Sequence, residues 1–377
     1  MQCPYFRFLE GRGTLAWVKI KTQGKERESV ERKIYDISEI PKPKNLPERF
    51  MFPFSQLNFL LNGGILDRVT LITSCTNNGK TMLTSQIIEY IIDQGYNCCC
   101  AFMEDTAYET QDRLFKQTLK SNTGAVKYVP YQVKGKDTNC GEWVIDDDMW
   151  EKAADKFRGK LKLYNTRASA SVDEILEGFD EARTKYGCRV FVIDNCDQFE
   201  FASENENKAL RDIVIKIRDY AINNKVHIFL ISHVRKLERD VVMPNLNDVK
   251  GTSALVNIAK NVVIAVRTDV MDKTSKAYKA LAAVVAKNDY NLDQCDELLY
   301  VAKTKGRKLG YVGLKYNAIT NTYYEPTEWH VERKQDVKKA AAEKAIVYNG
   351  EKAPQYSFQP KQGTNWEEIN EDEELPF

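Results

Sequence analysis

Short apolar runs alternate with amphipathic stretches through the middle of this chain. The runs have strand length and many β-branched residues, whereas the stretches between them repeat their apolar positions at helical spacing. The predicted strands are Val69–Thr73, Cys98–Met103, Lys160–Tyr164, Arg189–Ile193, Val226–Ile231 and Asn261–Val266. The predicted helices are Thr81–Gln94, Tyr108–Leu119, Val172–Lys185 and Lys208–Asn223. This alternation is typical of an α/β fold with a mostly parallel sheet covered by helices on both faces.

The remainder of the chain follows other patterns. Two further runs, Glu297–Ala302 and Tyr311–Tyr316, flank a polar turn and predict an antiparallel hairpin on the C-terminal side of the sheet. We expect a small accessory segment and linker at 1–50 and one large domain at 51–330. A charged helical stretch at 331–347 and a disordered acidic tail at 348–377 should follow.

Composition narrows the class of protein. The 377 residues carry a net charge of +1, so any nucleic-acid site must come from local loops rather than from a global field. No apolar stretch is long enough to span a bilayer and the first residues do not open a signal peptide, so we expect a cytoplasmic protein without membrane contact. The nine cysteines show no C-x-x-C pairing, and only three histidines accompany them. We therefore expect reduced, buried thiols rather than a zinc site or disulfides.

The segment after the first predicted strand has the composition of a phosphate-binding loop. The strand runs into small polar residues, then Gly79-Lys80-Thr81, then a helix. In that context Lys80 reaches the phosphates of ATP or another NTP, and the Thr81 hydroxyl ligates Mg²⁺. An ordinary turn with a chance lysine is the alternative, but it does not explain the small polar residues. The predicted ATP-binding residues are Ser74 (in place of the usual first glycine), Cys75, Thr76, Asn77, Asn78, Gly79, Lys80 and Thr81.

Three other predicted strands end in chemically active residues. Asp194 ends an apolar strand, where a second carboxylate can hold Mg²⁺; the alternative is a cap of the next turn. Glu104 follows another strand and would orient or deprotonate the attacking water, unless it is only solvated. His233 ends a third strand and would sense the γ-phosphate, although a lone histidine is more often structural. Ligands of open α/β sheets bind at this edge.

Basic residues gather in loops near the same region. Arg235, Lys236 and Arg239 follow His233, and Lys250 precedes a run of small residues. Contact with nucleic-acid phosphates is one interpretation; a solvated loop and a plain helix start are the others. The hairpin turn from Lys303 to Lys308 has four cations, which are either solvated or reach the nucleotide of a neighbouring subunit.

Taken together and in order, these motifs resemble the RecA-type motor domain of superfamily-four, DnaB-like replicative DNA helicases. Within that family the chain is most similar to the helicase half of the T-odd phage primase–helicases, with Twinkle a further relative. The resemblance covers Phe52 to Pro326. It depends on the following segments: 73–81, Met103-Glu104, Val192-Ile193-Asp194, Ile231-Ser232-His233, 248–255 and Gly313-Leu314-Lys315-Tyr316-Asn317.

The resemblance implies a role for each matching residue. Glu104 falls at the catalytic base, Asp194 at the second Mg²⁺ ligand and His233 at the γ-phosphate sensor. Loops bearing Arg235, Lys236, Arg239 and Lys250 would hold single-stranded DNA in a central channel. Lys303 matches the lysine of a K-x-R pair that acts in trans. The finger position is then Lys305, but because lysine and arginine are not interchangeable toward phosphate, we assign the finger to Arg307 after a local shift.

The resemblance implies an ATP-driven ring helicase that works as a homo-oligomer, with a hexamer as the expected form. A recombination or loading ATPase that binds DNA without unwinding, and a nucleotide-gated assembly module, are the alternatives. No primase fold is expected before Phe52, so priming would come from another chain. The acidic C-terminus ends in Phe377, which we interpret as an anchor for replication proteins such as DNA polymerase or primase; a solubilising tail is the alternative.

Overall fold

The computed structural model describes most of the chain in two units. The described residues are 6–8, 17–19, 37, 47–75, 78–120, 122–133, 135–164, 170–199, 206–235, 243–249, 252–287, 291–305, 307–326, 347–348 and 351–352. The units are Met1–Leu46 and Pro47–Phe377. In the first unit, β1 (Phe6–Phe8) pairs antiparallel with β2 (Trp17–Lys19). The second unit contains all elements named below.

A nine-stranded sheet forms the centre of the second unit. The strands of this unit are β3 (Arg49–Phe50), β4 (Gly64–Ile65), β5 (Arg68–Ser74), β6 (Asn97–Phe102), β7 (Val126–Val133), β8 (Lys136–Ile145), β9 (Leu161–Leu163), β10 (Cys188–Asp194), β11 (His227–His233), β12 (Asn261–Arg267), β13 (Glu297–Lys303), β14 (Gly310–Asn317), β15 (Thr322–Tyr324), β16 (Val347–Tyr348) and β17 (Glu351–Lys352). The order in the sheet is β15-β14-β13-β12-β5-β11-β10-β6-β9. Strands from β12 to β9 are parallel, whereas β13, β14 and β15 pair antiparallel. The pairs β3–β4, β7–β8 and β16–β17 form separate two-stranded sheets.

Helices cover both faces of the sheet. They are α1 (Ser55–Leu61), α2 (Lys80–Asp93), α3 (Ala107–Thr118), α4 (Asp147–Phe157), α5 (Val172–Tyr186), α6 (Glu206–Asn224), α7 (Thr252–Ile258) and α8 (Lys276–Ala286). Helices α1 to α4 contribute to one apolar core and α5 to α8 to the other. Successive strand residues point to opposite faces, so Cys98 and Cys100 enter one core while Cys99 enters the other. Among the described residues, no helix combines the length and apolar character needed to cross a bilayer.

The predicted α/β class and its mostly parallel sheet are confirmed, and so is the antiparallel pairing of β13 with β14. Each predicted strand and helix is present within a few residues of its predicted bounds. The sequence reading missed several elements: α1, α4, α7, α8, β15 and the β7–β8 hairpin. The segment before α7 was left open between phosphate contact and a helix start, and a helix does begin at Thr252. The predicted helix at 331–347 and tail at 348–377 lie outside the described residues, apart from β16 and β17.

Candidate active site

The predicted phosphate-binding loop joins β5 to α2. Gly79 precedes the helix with φ +69°, a left-handed conformation that glycine adopts without strain. Lys80 is buried at the first helical position, and its Nζ lies 3.0 Å from the carbonyl oxygen of Cys75 and 3.2 Å from Oγ of Ser74. Burial lowers the pKa of Lys80, while the nearby carboxylate of Asp194 raises it. The lysine is therefore folded back over its own loop, at the N-terminus of a helix, where an anion is favoured.

The rest of the loop is only partly visible. Asn78 and Thr81 are half-buried and flank the Gly79-Lys80 step. Thr76 and Asn77, which we predicted to contact ATP, lie outside the described residues. Their role therefore stays a prediction.

Asp194 and Thr81 meet at the other side of this loop. Asp194 is 4% exposed, and burial raises the pKa of its carboxyl to about 6 even though a side-chain hydrogen bond with Thr81 and the charge of Lys80 oppose the rise. Its Oδ2 is buried without a hydrogen-bond partner in the described part of the chain. A buried carboxylate oxygen beside a hydroxyl is a donor set that suits Mg²⁺, which takes few protein oxygens and keeps several waters. The residues present therefore fit the predicted metal.

Glu104 and His233 are joined by a residue that the sequence reading missed. The Nδ2 atom of Asn195 lies 2.6 Å from Oε1 of Glu104 and 3.1 Å from Nε2 of His233. The other ring nitrogen of His233, Nδ1, lies 3.0 Å from Nζ of Lys80. A continuous line of contacts thus runs from the phosphate-loop lysine through the histidine and the asparagine to the glutamate.

The order of the strands explains why these residues meet. Strands β5, β11, β10 and β6 are consecutive neighbours, all parallel, and their carboxyl ends share one edge. His233 is in register with Ser74, and Asp194 is in register with Phe102, two residues before Glu104. At the next helix, Thr106 and Glu109 form a capping box, which fixes the turn that presents Glu104. All four strand-end predictions therefore lie together at the edge where ligands of parallel sheets bind.

Of the predicted DNA-binding residues, only Arg235 is described. Its backbone N–H donates to the carbonyl of Asp248 at 2.7 Å, and its guanidinium donates to the carbonyl of Asn247. An antiparallel bridge between Val234 and Val249 continues this contact. The segment after His233 is therefore tied to the segment before α7. Lys236, Arg239 and Lys250 lie outside the described residues.

The predicted finger turn lies at the opposite edge of the sheet from the phosphate loop. Strand β13 runs antiparallel to β12, so Lys303 at its end is in register with Val262 near the start of β12. Lys260, just before β12, donates its backbone N–H to Val69 at the start of β5 and interacts electrostatically with Lys305. A seven-residue strand, β5, thus separates this turn from the phosphate loop of the same chain, a length of roughly 20 Å.

Within that turn the structure separates three cations. Lys305 and Arg307 are exposed. Lys303 instead points into its own chain, where its Nζ contacts the carbonyl oxygens of Val256 at 2.6 Å and Ala259 at 2.9 Å. A third contact, to the carbonyl of Asn257 at 3.2 Å, completes a cap on the C-terminus of α7. The lysine that the resemblance matched to a trans-acting group is therefore engaged within its own subunit.

Residues 51–325 match the family model described as the DnaB-like helicase C-terminal domain. The chain belongs to this family. Among relatives, the DNA helicase/primase of Enterobacteria phage T3 is 24% identical over 207 residues, covering 52% of this chain and 34% of the phage protein. The chain thus spans about a third of that relative's length.

Solved structures support the same fold for this DnaB-like domain. A structure of an isolated ATPase domain matches with a TM-score of 0.53 at 16% identity, over 72% of this chain and 89% of that one. A DnaB-like replicative helicase, solved to show its interactions with primase, matches with a TM-score of 0.55 at 16% identity, over 72% of this chain and 60% of that one. At such identities the matches establish the RecA-like fold.

Proposed function

We propose that this chain is the motor of an ATP-driven replicative DNA helicase, with residues 51–330 as the motor domain. The observation that carries the proposal is the group formed by Lys80, Asp194, Glu104 and His233 at one edge of a DnaB-like domain. A buried cation, a buried acid, an exposed carboxylate and an imidazole at the phosphate loop are the groups that NTP hydrolysis by in-line attack of water requires.

Each residue has a distinct part in this mechanism. Lys80 donates to the β- and γ-phosphates, and Thr81 and Asp194 hold Mg²⁺, which supplies charge neutralisation at the phosphates. Glu104 lies at the solvent side, where it orients the attacking water and accepts its proton. His233 contacts the γ-phosphate and so distinguishes ATP from ADP.

The DNA path follows the two tied segments beyond the nucleotide edge. Single-stranded DNA is proposed to contact Arg235, Lys236, Arg239 and Lys250 through its phosphates. The bridge between Val234 and Val249 supports this assignment, because it joins both segments one residue after His233. A shift of His233 on hydrolysis would then move both DNA-contacting segments together.

The chain is proposed to work as a ring, with a hexamer as the expected form. Arg307, with Lys305 as the alternative, lies on the sheet edge opposite the phosphate loop of its own chain. An arginine finger at that edge can complete only a nucleotide site of another copy. Translocation on one strand in the host cytoplasm would then displace the other strand at a fork.

The acidic C-terminus is proposed to recruit replication proteins such as DNA polymerase or primase. The segment 367–377 is acidic and ends in Leu375-Pro376-Phe377. Acidic residues speed the encounter with a basic-rimmed pocket, and the terminal aromatic supplies the buried anchor. Deleting Phe377 should abolish partner binding while unwinding by the helicase alone stays unchanged.

Unwinding of a forked duplex separates this function from its alternatives. Wild type should displace the strand only with hydrolysable ATP, whereas a recombination or loading ATPase would bind DNA and hydrolyse ATP without displacement. An assembly module would change its oligomeric state with nucleotide but would not unwind. Lys80→Ala should lower kcat by on the order of 100-fold or more, because a charge-assisted contact to the transferred phosphate is lost. Glu104→Gln should bind ATP with little hydrolysis. Folded wild type that fails to unwind would refute the proposal.

A further inference from the structure

Asn195 has the contacts of a residue that acts between two others. It is 1% exposed and caps a short 3₁₀ turn, Cys196–Gln198, by accepting the backbone N–H of Asp197 at its Oδ1, 2.9 Å away. Its Nδ2 faces the carboxylate of Glu104. Rotating the amide by half a turn would place oxygen against carboxylate and NH₂ against N–H. The amide orientation is therefore assigned by its partners, and both hydrogens of Nδ2 point to Glu104 and His233.

This orientation leaves the ring of His233 between two donors. Nε2 faces the NH₂ group of Asn195 at 3.1 Å, and Nδ1 faces the ammonium of Lys80 at 3.0 Å. A neutral imidazole has one donor and one acceptor nitrogen, so one of the two contacts must be donor to donor. A phosphate oxygen that accepts from both Lys80 and Nδ1–H removes the conflict, and Nε2 is then free to accept from Asn195.

We propose that Asn195 is a positioning residue that transmits γ-phosphate binding at His233 to the catalytic carboxylate of Glu104. With a triphosphate bound, the proton of His233 resides on Nδ1, Asn195 donates to Nε2, and its second hydrogen holds Oε1 of Glu104. The remaining oxygen, Oε2, is then oriented toward the attacking water. A diphosphate leaves the conflict at His233 in place, so Glu104 is not held. The inference rests on the proposed function, since it assigns Glu104 and His233 their roles in hydrolysis.

The first test is the tautomer of His233. The chain has three histidines, and ¹⁵N shifts of labelled side chains in magic-angle-spinning NMR distinguish the two tautomers in a protein of any size. The His233 signals are assigned by their loss in His233→Gln. With Mg-ATPγS bound, wild type should show the proton on Nδ1. A proton on Nε2 in that state overturns the proposal, whether or not the protein proves to be a helicase.

The second test separates Asn195 from its cap. Asn195→Ser keeps an oxygen for the backbone N–H of Asp197 but loses the reach to Glu104 and His233. Asn291→Ser is the matched control, because Asn291 caps another 3₁₀ turn, Leu292–Gln294, by the same contact at 3.0 Å. Asn195→Ser should lower kcat on the order of 10- to 100-fold, as expected for a displaced catalytic group, while leaving the ATPγS Kd unchanged.

The outcomes of the second test are distinct. Asn291→Ser should have wild-type kcat. Wild-type kcat in Asn195→Ser would overturn the relay, and so would an equal loss of ATPγS affinity and thermal stability, which marks a structural role. If wild type itself neither hydrolyses ATP nor unwinds DNA, the proposed function fails, and the tautomer measurement still decides whether γ-phosphate sets the state of His233.

Discussion

The hydroxyl of Tyr323 lies 3.2 Å from the carboxylate of Glu297, in the core beneath the phosphate loop. The pair borders Gly79, because a Cβ on that glycine would overlap the Tyr323 hydroxyl and approach Oε2 of Glu297 to 3.3 Å. Glu297 is 1% exposed, and its Oε1 is buried without a hydrogen-bond partner among the described residues. The floor of the nucleotide site therefore contains a carboxyl group that burial keeps from ionising easily.

The protonation of Glu297 should make stability fall with pH. Burial raises the pKa of Glu297 from 4.5 to about 8, against the opposing effects of Tyr323 and Arg267, while Asp269 adds to the rise and Lys80 opposes it. The folded state therefore binds more protons than the unfolded state between these values. The contribution is fully favourable below 4.5 and is lost as pH rises through about 8. Each pH unit in that window should cost about 1.4 kcal/mol of unfolding free energy.

Glu297→Gln tests this linkage, because glutamine keeps the shape and does not titrate. The variant should gain in Tm relative to wild type when pH is raised from 6 to 9, as measured by thermal unfolding at several pH values. Glu177→Gln, which replaces an exposed carboxylate, is the control and should show no such gain. Parallel pH profiles for Glu297→Gln and wild type would show that Glu297 does not titrate in this range.

Gly79→Ala should abolish nucleotide binding through two separable effects. An alanine at φ +69° is strained by on the order of 1 kcal/mol, and its Cβ overlaps the Tyr323 hydroxyl. Adding Tyr323→Phe removes the overlapping oxygen but not the strain. The double variant should therefore regain part of the ATPγS affinity in equilibrium binding, while Tyr323→Phe alone stays near wild type. No recovery would mean that backbone strain alone accounts for the loss.

The sequence predicted the strand-end residues because parallel strands bring their carboxyl ends to one edge whatever their loops do. Asn195 was missed because its role depends on partners 91 and 38 residues away in the chain, although its place directly after Asp194 was a usable signal. Glu297 looked like an ordinary strand start, since its burial comes from packing with Tyr323. The β7–β8 hairpin was missed because Tyr128, Tyr131 and Trp143 remain largely exposed, so no buried face imposes a clear alternation.

Lys303→Met should weaken the C-terminus of α7. The ammonium contacts three backbone carbonyls there, and burial lowers its pKa, so the loss should cost about 1 to 2 kcal/mol of unfolding free energy. Chemical denaturation measures this cost, with Lys308→Met from the same exposed turn as the control. A Tm equal to that of wild type would place Lys303 outside the fold's energetics and return it to the trans-acting role.

Replacing the four proposed DNA-contacting cations should reduce the salt dependence of binding. Each lost phosphate contact on a single strand lowers the slope of log Kd against log salt by about 0.7, so Arg235, Lys236, Arg239 and Lys250 together should lower it by up to about 3. Fluorescence anisotropy with several labelled sequences measures the slope, and all sequences should weaken alike. Lys152→Ala, on exposed helix α4, is the control. An unchanged slope would place the DNA path elsewhere.

Mixing experiments should show that the finger acts between subunits. Lys80→Ala protein lacks a working phosphate loop and Arg307→Ala protein lacks the finger, so each alone should be inactive. A mixed ring has some interfaces at which an intact loop meets an intact finger, because the two groups lie at opposite sheet edges of one chain. Hydrolysis in the mixture should therefore exceed that of either variant. Lys305→Ala in place of Arg307→Ala identifies which cation is the finger, and Lys303→Met should give no rescue, since its contacts are within its own chain. Failure of both finger variants to be rescued, with rings still forming, would show that neither side chain completes a neighbour's site.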